Sequence, residues 1–116
     1  MIKQNFHQNL RDKINTYIHL VYKVTKEFPR EETYGVTSQL RRSALSVMLN
    51  YIEGYARFKT KVHKNFLEIA YGSLQESKYI LEFSLEEEFM KKDKYIKLAH
   101  LADEIGVMLW GIITKL

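Results

Sequence analysis

The chain has 116 residues, with no Cys, one Pro, five Gly, 46% hydrophobic and 28% charged residues, which is the size of one compact domain over residues 1–116 and too apolar for a disordered chain. Without Cys there is no disulfide framework, thiolate zinc site, iron–sulfur cluster or cysteine nucleophile. The net charge of +4 hides an asymmetry, because Met1 to Lys64 holds 12 basic and 5 acidic residues and Asn65 to Leu116 holds 6 basic and 9 acidic, so the first half is the expected partner-facing one.

Hydrophobic periodicity predicts four helices. The first runs from about Asn5 to Glu27, with Phe6, Leu10, Ile14, Tyr17, Val21, Val24 and Phe28 recurring every three or four residues, and Pro29 ends it. A polar connection, Arg30 to Gly35, leads to a second helix from about Thr37 to Arg57 with Leu40, Ala44, Val47, Met48, Tyr51 and Tyr55 on one face. The third spans about Thr60 to Glu87 through Val62, Phe66, Ala70, Leu74, Ser77 and Leu81. The last starts near Asp93, the expected N-cap, and continues through Leu98, Leu101, Ile105, Met108, Leu109, Ile112 and Leu116. Short connections favour antiparallel neighbours, so the expected architecture is an all-α, up-down-up-down four-helix bundle. The run Glu86, Glu87, Glu88, followed by Lys91, Lys92 and Lys94, reads as a solvated turn whose charges offset each other. The charged N-terminus is not that of a signal peptide, and no apolar run approaches the ~20 residues of a membrane span. A soluble cytoplasmic protein without membrane contact is therefore expected.

The second helix carries more apolar surface than one core face requires. Leu45, Leu49 and Ile52 lie around the cylinder from Leu40, Ala44, Val47 and Tyr51, leaving only Arg42, Ser46, Asn50, Glu53 and Arg57 as a polar wedge. Trp110 is likewise off the main stripe of the last helix. These four apolar residues are the expected contacts of a homo-oligomer, with a different protein partner as the rival. Within the wedge, Glu53 and Arg57 have the i,i+4 spacing of a helix-supporting ion pair. The alternative reading makes Arg42, Asn50 and Arg57 ligand contacts, since the guanidinium fork grips phosphate bidentately.

Catalytic patterns are weak. His7 and His19 on the first helix, His63 on the third and His100 on the fourth have neither the H-E-x-x-H arrangement nor i,i+4 pairing, and read as helix-surface residues. No Glu-x-x-His pair supports a di-metal bundle site, and the five Gly form no phosphate-cradling loop. No catalytic residue, metal or cofactor is expected. Charge favours nucleic-acid binding instead. Arg41, Arg42, Arg57, Lys59, Lys61 and Lys64 stand against Glu53 alone, a surface able to neutralise several phosphates. Tyr51 and Tyr55 lie on the apolar face and read as core rather than stacking platforms.

Phe28-Pro29, Glu32, Tyr34-Gly35, Gln39-Leu40-Arg41-Arg42, Ala44, Ser46, Asn50, Glu53-Gly54, Arg57, Phe66-Leu67, Ala70 and Gly72-Ser73-Leu74 occur in a familiar order. Their order and spacing resemble those of the bacterial proteins encoded in intervening sequences of 23S ribosomal RNA genes, also called S23-like. The likeness covers nearly the whole chain. It departs from the commonest pattern at Tyr51-Ile52, where the family usually has Ile-Ala, and at Tyr55. The resemblance implies a four-helix bundle, a homopentameric ring and nucleic-acid association, with RNA or an RNA–DNA hybrid as the ligand. It further implies kinship with the accessory variability determinant of diversity-generating retroelements, and hence a reverse transcriptase or ribosome-associated protein as a possible docking partner. On this view Arg41, Arg42, Asn50, Glu53, Gly54 and Arg57 can be subunit contacts instead of ligand contacts.

Overall fold

The computed structural model describes the backbone of residues 2–116 and the side chains of residues 5–116. Four helices account for most of it: α1 (Ile2–Thr25), α2 (Val36–Tyr55), α3 (Thr60–Glu86) and α4 (Lys92–Ile113), with a 3-10 turn at Arg30–Glu32. No strand occurs among the described residues. The body measures 43 × 25 × 18 Å, the rod expected when helices of 20 to 27 residues share a narrow core.

Each helix end has a local cause. α1 stops at Thr25, two residues before the expected limit. There the Thr25 hydroxyl donates to the Val21 and Tyr22 carbonyls at 2.8 and 3.1 Å, a side-chain bond that competes with the helix ladder. Pro29 then disfavours helical geometry at Phe28. Phe28 folds back into the core and meets Phe89 with ring centroids 5.7 Å apart. At the start of α2 the Glu32 carboxylate accepts from the Val36 backbone N–H at 3.2 Å, satisfying one of the orphan donors there. α3 ends in paired bonds from Glu88 N to Leu85 O (3.0 Å) and from Phe89 N to Ser84 O (2.8 Å), with Glu88 at φ 63°. This is the Schellman arrangement, a position that favours Gly. α4 begins at Lys92 with Lys91 as its N-cap residue, so Asp93 is not the cap. It lies in the first turn, where a carboxylate favours the positive end of the helix dipole.

The core of α3 alternates large and small: Leu67, Leu74 and Leu81 with Ala70, Ser77 and Ser84, all buried. This spacing lets leucines from one helix fill the gaps left by small residues. Facing them are Leu10, Ile14, Tyr17 and Val21 of α1, Leu40, Ala44, Val47 and Tyr51 of α2, and Leu98, Ala102, Ile105 and Leu109 of α4. Val62, expected on the core face, is exposed because the first turn of α3 lies beyond the last turn of α2, which meets α3 at His63 and Phe66. Leu116, expected at the end of the fourth helix's stripe, lies outside that helix and is exposed. Each helix has two adjacent neighbours, α2 lying between α1 and α3, and α4 between α3 and α1. Contacts between neighbours run from the end of one helix to the start of the next. His7 meets Tyr51 and Thr25 meets Arg41; Ser46 meets Ser73 and Gly54 meets His63; Tyr71 meets Trp110 and Lys78 meets Asp103.

Among the described residues, one polar link joins α1 and α3 across the core, the Tyr17 hydroxyl and Ser77 Oγ at 2.7 Å. Ser77 donates its own hydrogen to Leu74 O at 2.7 Å, so Tyr17 donates to Ser77. Burial pushes the Tyr17 phenol up to about 12, and the hydroxyl stays neutral. Ser77→Ala would leave a buried donor unsatisfied and is expected to lower stability by about 2 kcal/mol, whereas Tyr17→Phe removes the donor itself and should lower it by ~1 kcal/mol or less. Urea denaturation of both variants and of the double variant checks this: the double variant should be more stable than Ser77→Ala alone.

Candidate nucleic-acid interface

The basic residues singled out from the sequence fall into two groups. Arg57, Lys59, Lys61 and Lys64 gather at the junction of α2 and α3, all exposed except the half-buried Lys64. Arg41 and Arg42 belong to the second turn of α2, roughly 25 Å away at ~1.5 Å per residue. The six therefore do not form one continuous edge. Arg41 is also engaged: its Nε donates to Thr25 Oγ1 at 2.8 Å, its Nη2 to Tyr22 O at 3.3 Å, and the guanidinium lies 4.6 Å from the centre of the Tyr22 ring. A cation at the carbonyl end of α1 interacts favourably with the helix dipole, so Arg41 ties α2 to α1. Arg42 is exposed.

At the junction, Arg57 forms an ion pair with Glu53, as its spacing predicts, and lies over the Phe66 ring at 5.2 Å. Lys59, Lys61 and Lys64 form no ion pair among the described residues. Phe58, between Arg57 and Lys59, is completely exposed at 103%. An unburied ring among cations provides a stacking surface beside phosphate contacts.

Aromatic contacts hold this tip in place. His7 Nδ1 and the Tyr51 hydroxyl are 2.6 Å apart, and the Tyr55 ring lies edge-on to both His7 and His63, with centroids at 4.8 and 4.4 Å. His63 Nδ1 donates to the Gly54 carbonyl at 2.5 Å. The start of α1, the end of α2 and the start of α3 are thereby joined. His7 and His63 are half-buried and structural here, unlike the surface histidines expected, while His19 and His100 are exposed. Burial holds the Tyr51 phenol well above the usual tyrosine range, with neighbouring Tyr55 adding to the shift, and burial likewise raises Tyr55. Tyr51 is core, as its position predicts. Tyr55, expected in the core, is instead 42% exposed, because it lies in the last turn of α2, where its ring meets only His7, Tyr51 and His63 among the described aromatic contacts.

The polar wedge is partly structural. Ser46 Oγ meets Ser73 Oγ at 2.9 Å across the α2–α3 contact, and Asn50 Nδ2 donates to Ser46 O and Oγ, both at 2.9 Å. Only Arg42, Glu53 and Arg57 of the wedge reach outward. Gly54, next to it, is buried for space: a Cβ there would lie 3.3 Å from both His63 O and Phe66 Cβ.

On the remaining surface of α2, Leu45, Leu49 and Ile52 are exposed at 39, 56 and 43%. They lie toward the side on which Arg41 and Tyr55 meet α1. Trp110 is 55% exposed and packs on Tyr71 at 5.5 Å. Together with Gly106 and Val107 these two rings line an open groove of about 400 Å3 between α3 and α4. The two apolar features thus occupy opposite faces of the subunit.

Residues 8–111 match the family described as 23S rRNA-intervening sequence protein. The chain belongs to this family. A crystal structure of a protein of unknown function from the S23 ribosomal protein family of Bacteroides thetaiotaomicron is similar in fold, with a TM-score of 0.81 at 23% identity over 90% of this chain and 97% of that one. No curated protein matches the sequence. Within the 23S rRNA-intervening sequence family, the Gln39-Leu40-Arg41-Arg42 and Asn50 to Gly54 elements now have physical roles in this chain: Leu40 fills the core, Arg41 holds the end of α1, Asn50 bonds along α2 and Gly54 lets α3 approach.

Among the described residues no three His, Asp or Glu side chains converge on a point that could hold a metal ion, and no helix is long and apolar enough to cross a membrane.

Proposed function

We propose that this protein is a non-enzymatic, cytoplasmic nucleic-acid-binding protein that works as a ring of identical up-down-up-down bundles, contacting RNA or an RNA–DNA hybrid through the α2–α3 tip. The observation that carries the binding reading is the fully exposed Phe58 set among Arg57, Lys59, Lys61 and Lys64, three of which form no ion pair among the described residues. Each tip is a weak site. Repetition around a ring raises avidity without new contacts, and the ligand is chosen by shape and charge, since no base-reading module is present in the sequence.

The ring is supported by the placement of the apolar features. Leu45, Leu49 and Ile52 project from one face, and the Trp110 groove opens on the opposite one. A contact between unlike faces repeats head to tail and closes into a ring when the rotation permits. Five subunits is the number that the family resemblance implies. Leu49 is the residue assigned to the neighbour's groove. The same groove would serve a protein such as a reverse transcriptase or ribosome-associated factor if light scattering found a monomer at micromolar concentration.

Titration of labelled structured RNA over a salt series tests the binding reading. Replacing Lys59, Lys61 and Lys64 together by Gln is expected to weaken binding at least tenfold in 50 mM salt and to reduce the slope of log affinity against log salt by about 2 to 3. The helix content measured by circular dichroism should not change. Undiminished binding by the triple variant would remove the tip as the interface.

A further inference from the structure

A cavity of about 600 Å3 lies at the other end of the molecule, between the last turns of α1 and the first turns of α4. It is lined by the exposed Lys23 of α1, Lys91 at the N-cap of α4, and Lys94 and Lys97 of α4, together with Val24, Phe89 and Leu98. None of the four lysines forms an ion pair among the described residues. Like charges around one groove repel one another, and an anion in the groove relieves that repulsion. The volume is that of sites for ligands of nucleotide size, and an apolar lining with a few polar groups is their usual composition.

Two carboxylates also line the groove, Glu27 and Glu88. Four cations against two anions leave the lining net positive, and the two carboxylates are acceptors for N–H donors on the same ligand. Glu88 is the one non-glycine residue with positive φ among the described residues, at 63°. The turn requires that backbone geometry but not a carboxylate. Gly would adopt it without strain, whereas Glu meets a steric penalty there.

We propose that this groove binds a nucleoside phosphate whose base bears an amino group, with the phosphates on the lysines, the base on Phe89 and Leu98, and its amino group on Glu27 or Glu88. The ligand is either a free nucleotide or the phosphorylated end of a strand, which share this chemistry. The site is separate from the Lys59 to Lys64 tip and does not depend on the binding reading above.

The test is titration of the full chain with ADP, followed by the backbone amide signals of residues 92–98 in NMR spectra and by calorimetry. ADP is expected to bind at least tenfold more tightly than pyrophosphate or adenosine, and several-fold more tightly than purine riboside diphosphate, which keeps the purine ring and lacks the amine. K94Q/K97Q should weaken ADP binding at least tenfold with unchanged circular dichroism, while the Lys59, Lys61, Lys64 triple variant should bind ADP normally. A 5′-phosphorylated trinucleotide that displaces ADP identifies a strand end as the occupant, and one that does not identifies a free nucleotide; both support the groove. No binding at millimolar ADP, pyrophosphate binding as tightly as ADP, purine riboside diphosphate binding equally well, or loss in the triple variant with retention in K94Q/K97Q would each overturn the proposal.

Discussion

Leu49→Asp is expected to convert the proposed ring into folded monomers of 13.8 kDa. Leu49 is 56% exposed on the isolated subunit, so a carboxylate there can remain hydrated and should change subunit stability by no more than about 0.5 kcal/mol. In the proposed contact the same carboxylate would be seated against Trp110, Tyr71 and Val107 of the next copy. An unpaired charge buried at an interface costs about 3 to 5 kcal/mol, which is a loss of some hundredfold or more in affinity at each contact. A ring repeats every contact, so the penalty applies all the way around it. Size-exclusion chromatography with light scattering reads the mass, and circular dichroism confirms the fold. Trp110→Asp should have the same effect from the opposite face. A mass unchanged by both substitutions would eliminate these faces as the subunit contact.

Gly54→Leu should produce the largest loss of subunit stability, about 3 kcal/mol. Gly54 is buried in the last turn of α2, and a Cβ would stand 3.3 Å from His63 O, 3.3 Å from Phe66 Cβ and 3.4 Å from Leu67 Cδ2. His63 O belongs to the backbone of α3 and cannot rotate aside. The helices would have to separate, which would also break the bond from His63 Nδ1 to Gly54 O. Overpacking of this kind costs ~1 to 3 kcal/mol, and loss of that hydrogen bond adds about 1. Gly54→Ala is milder, because its gain in helix propensity, ~1 kcal/mol, offsets part of the crowding. Guanidinium denaturation should give midpoints in the order wild type, Gly54→Ala, Gly54→Leu. A Gly54→Leu midpoint equal to that of the wild type would show that the approach of α3 is not limited at this residue.

The helix faces were legible in the sequence because amphipathic periodicity is a short-range property. Leu40, Ala44, Val47 and Tyr51 are buried as their spacing predicts, and Leu45, Leu49 and Ile52 form a second apolar face as expected. The Glu53 to Arg57 pair follows from i,i+4 geometry alone. The candidate interface was legible only in part. Arg57, Lys59, Lys61 and Lys64 are close in sequence and remain close in the fold. Arg41 and Arg42 looked contiguous with them by charge, but α2 carries them to the opposite end, where Arg41 is occupied by Thr25 and Tyr22. His7 and His63 offered no metal pattern, and their structural role depends on Tyr51 and Tyr55 meeting them from another helix.

By itself, then, the sequence determined the helices, their apolar faces, the basic bias of the first half and, through Gln39 to Arg42 and Asn50 to Gly54, the family. Each of these is encoded within one or two helical turns or in the order of residues along the chain. The tertiary structure decided which helix ends meet. Only that pairing brings Lys23 beside Lys94 and Lys97 around one groove, donates the Tyr17 hydroxyl to Ser77 across the core, and makes Gly54 a spacer for His63 and Phe66. Such contacts join residues far apart in the chain and depend on how each helix is rotated and shifted against its neighbours, which no local periodicity specifies.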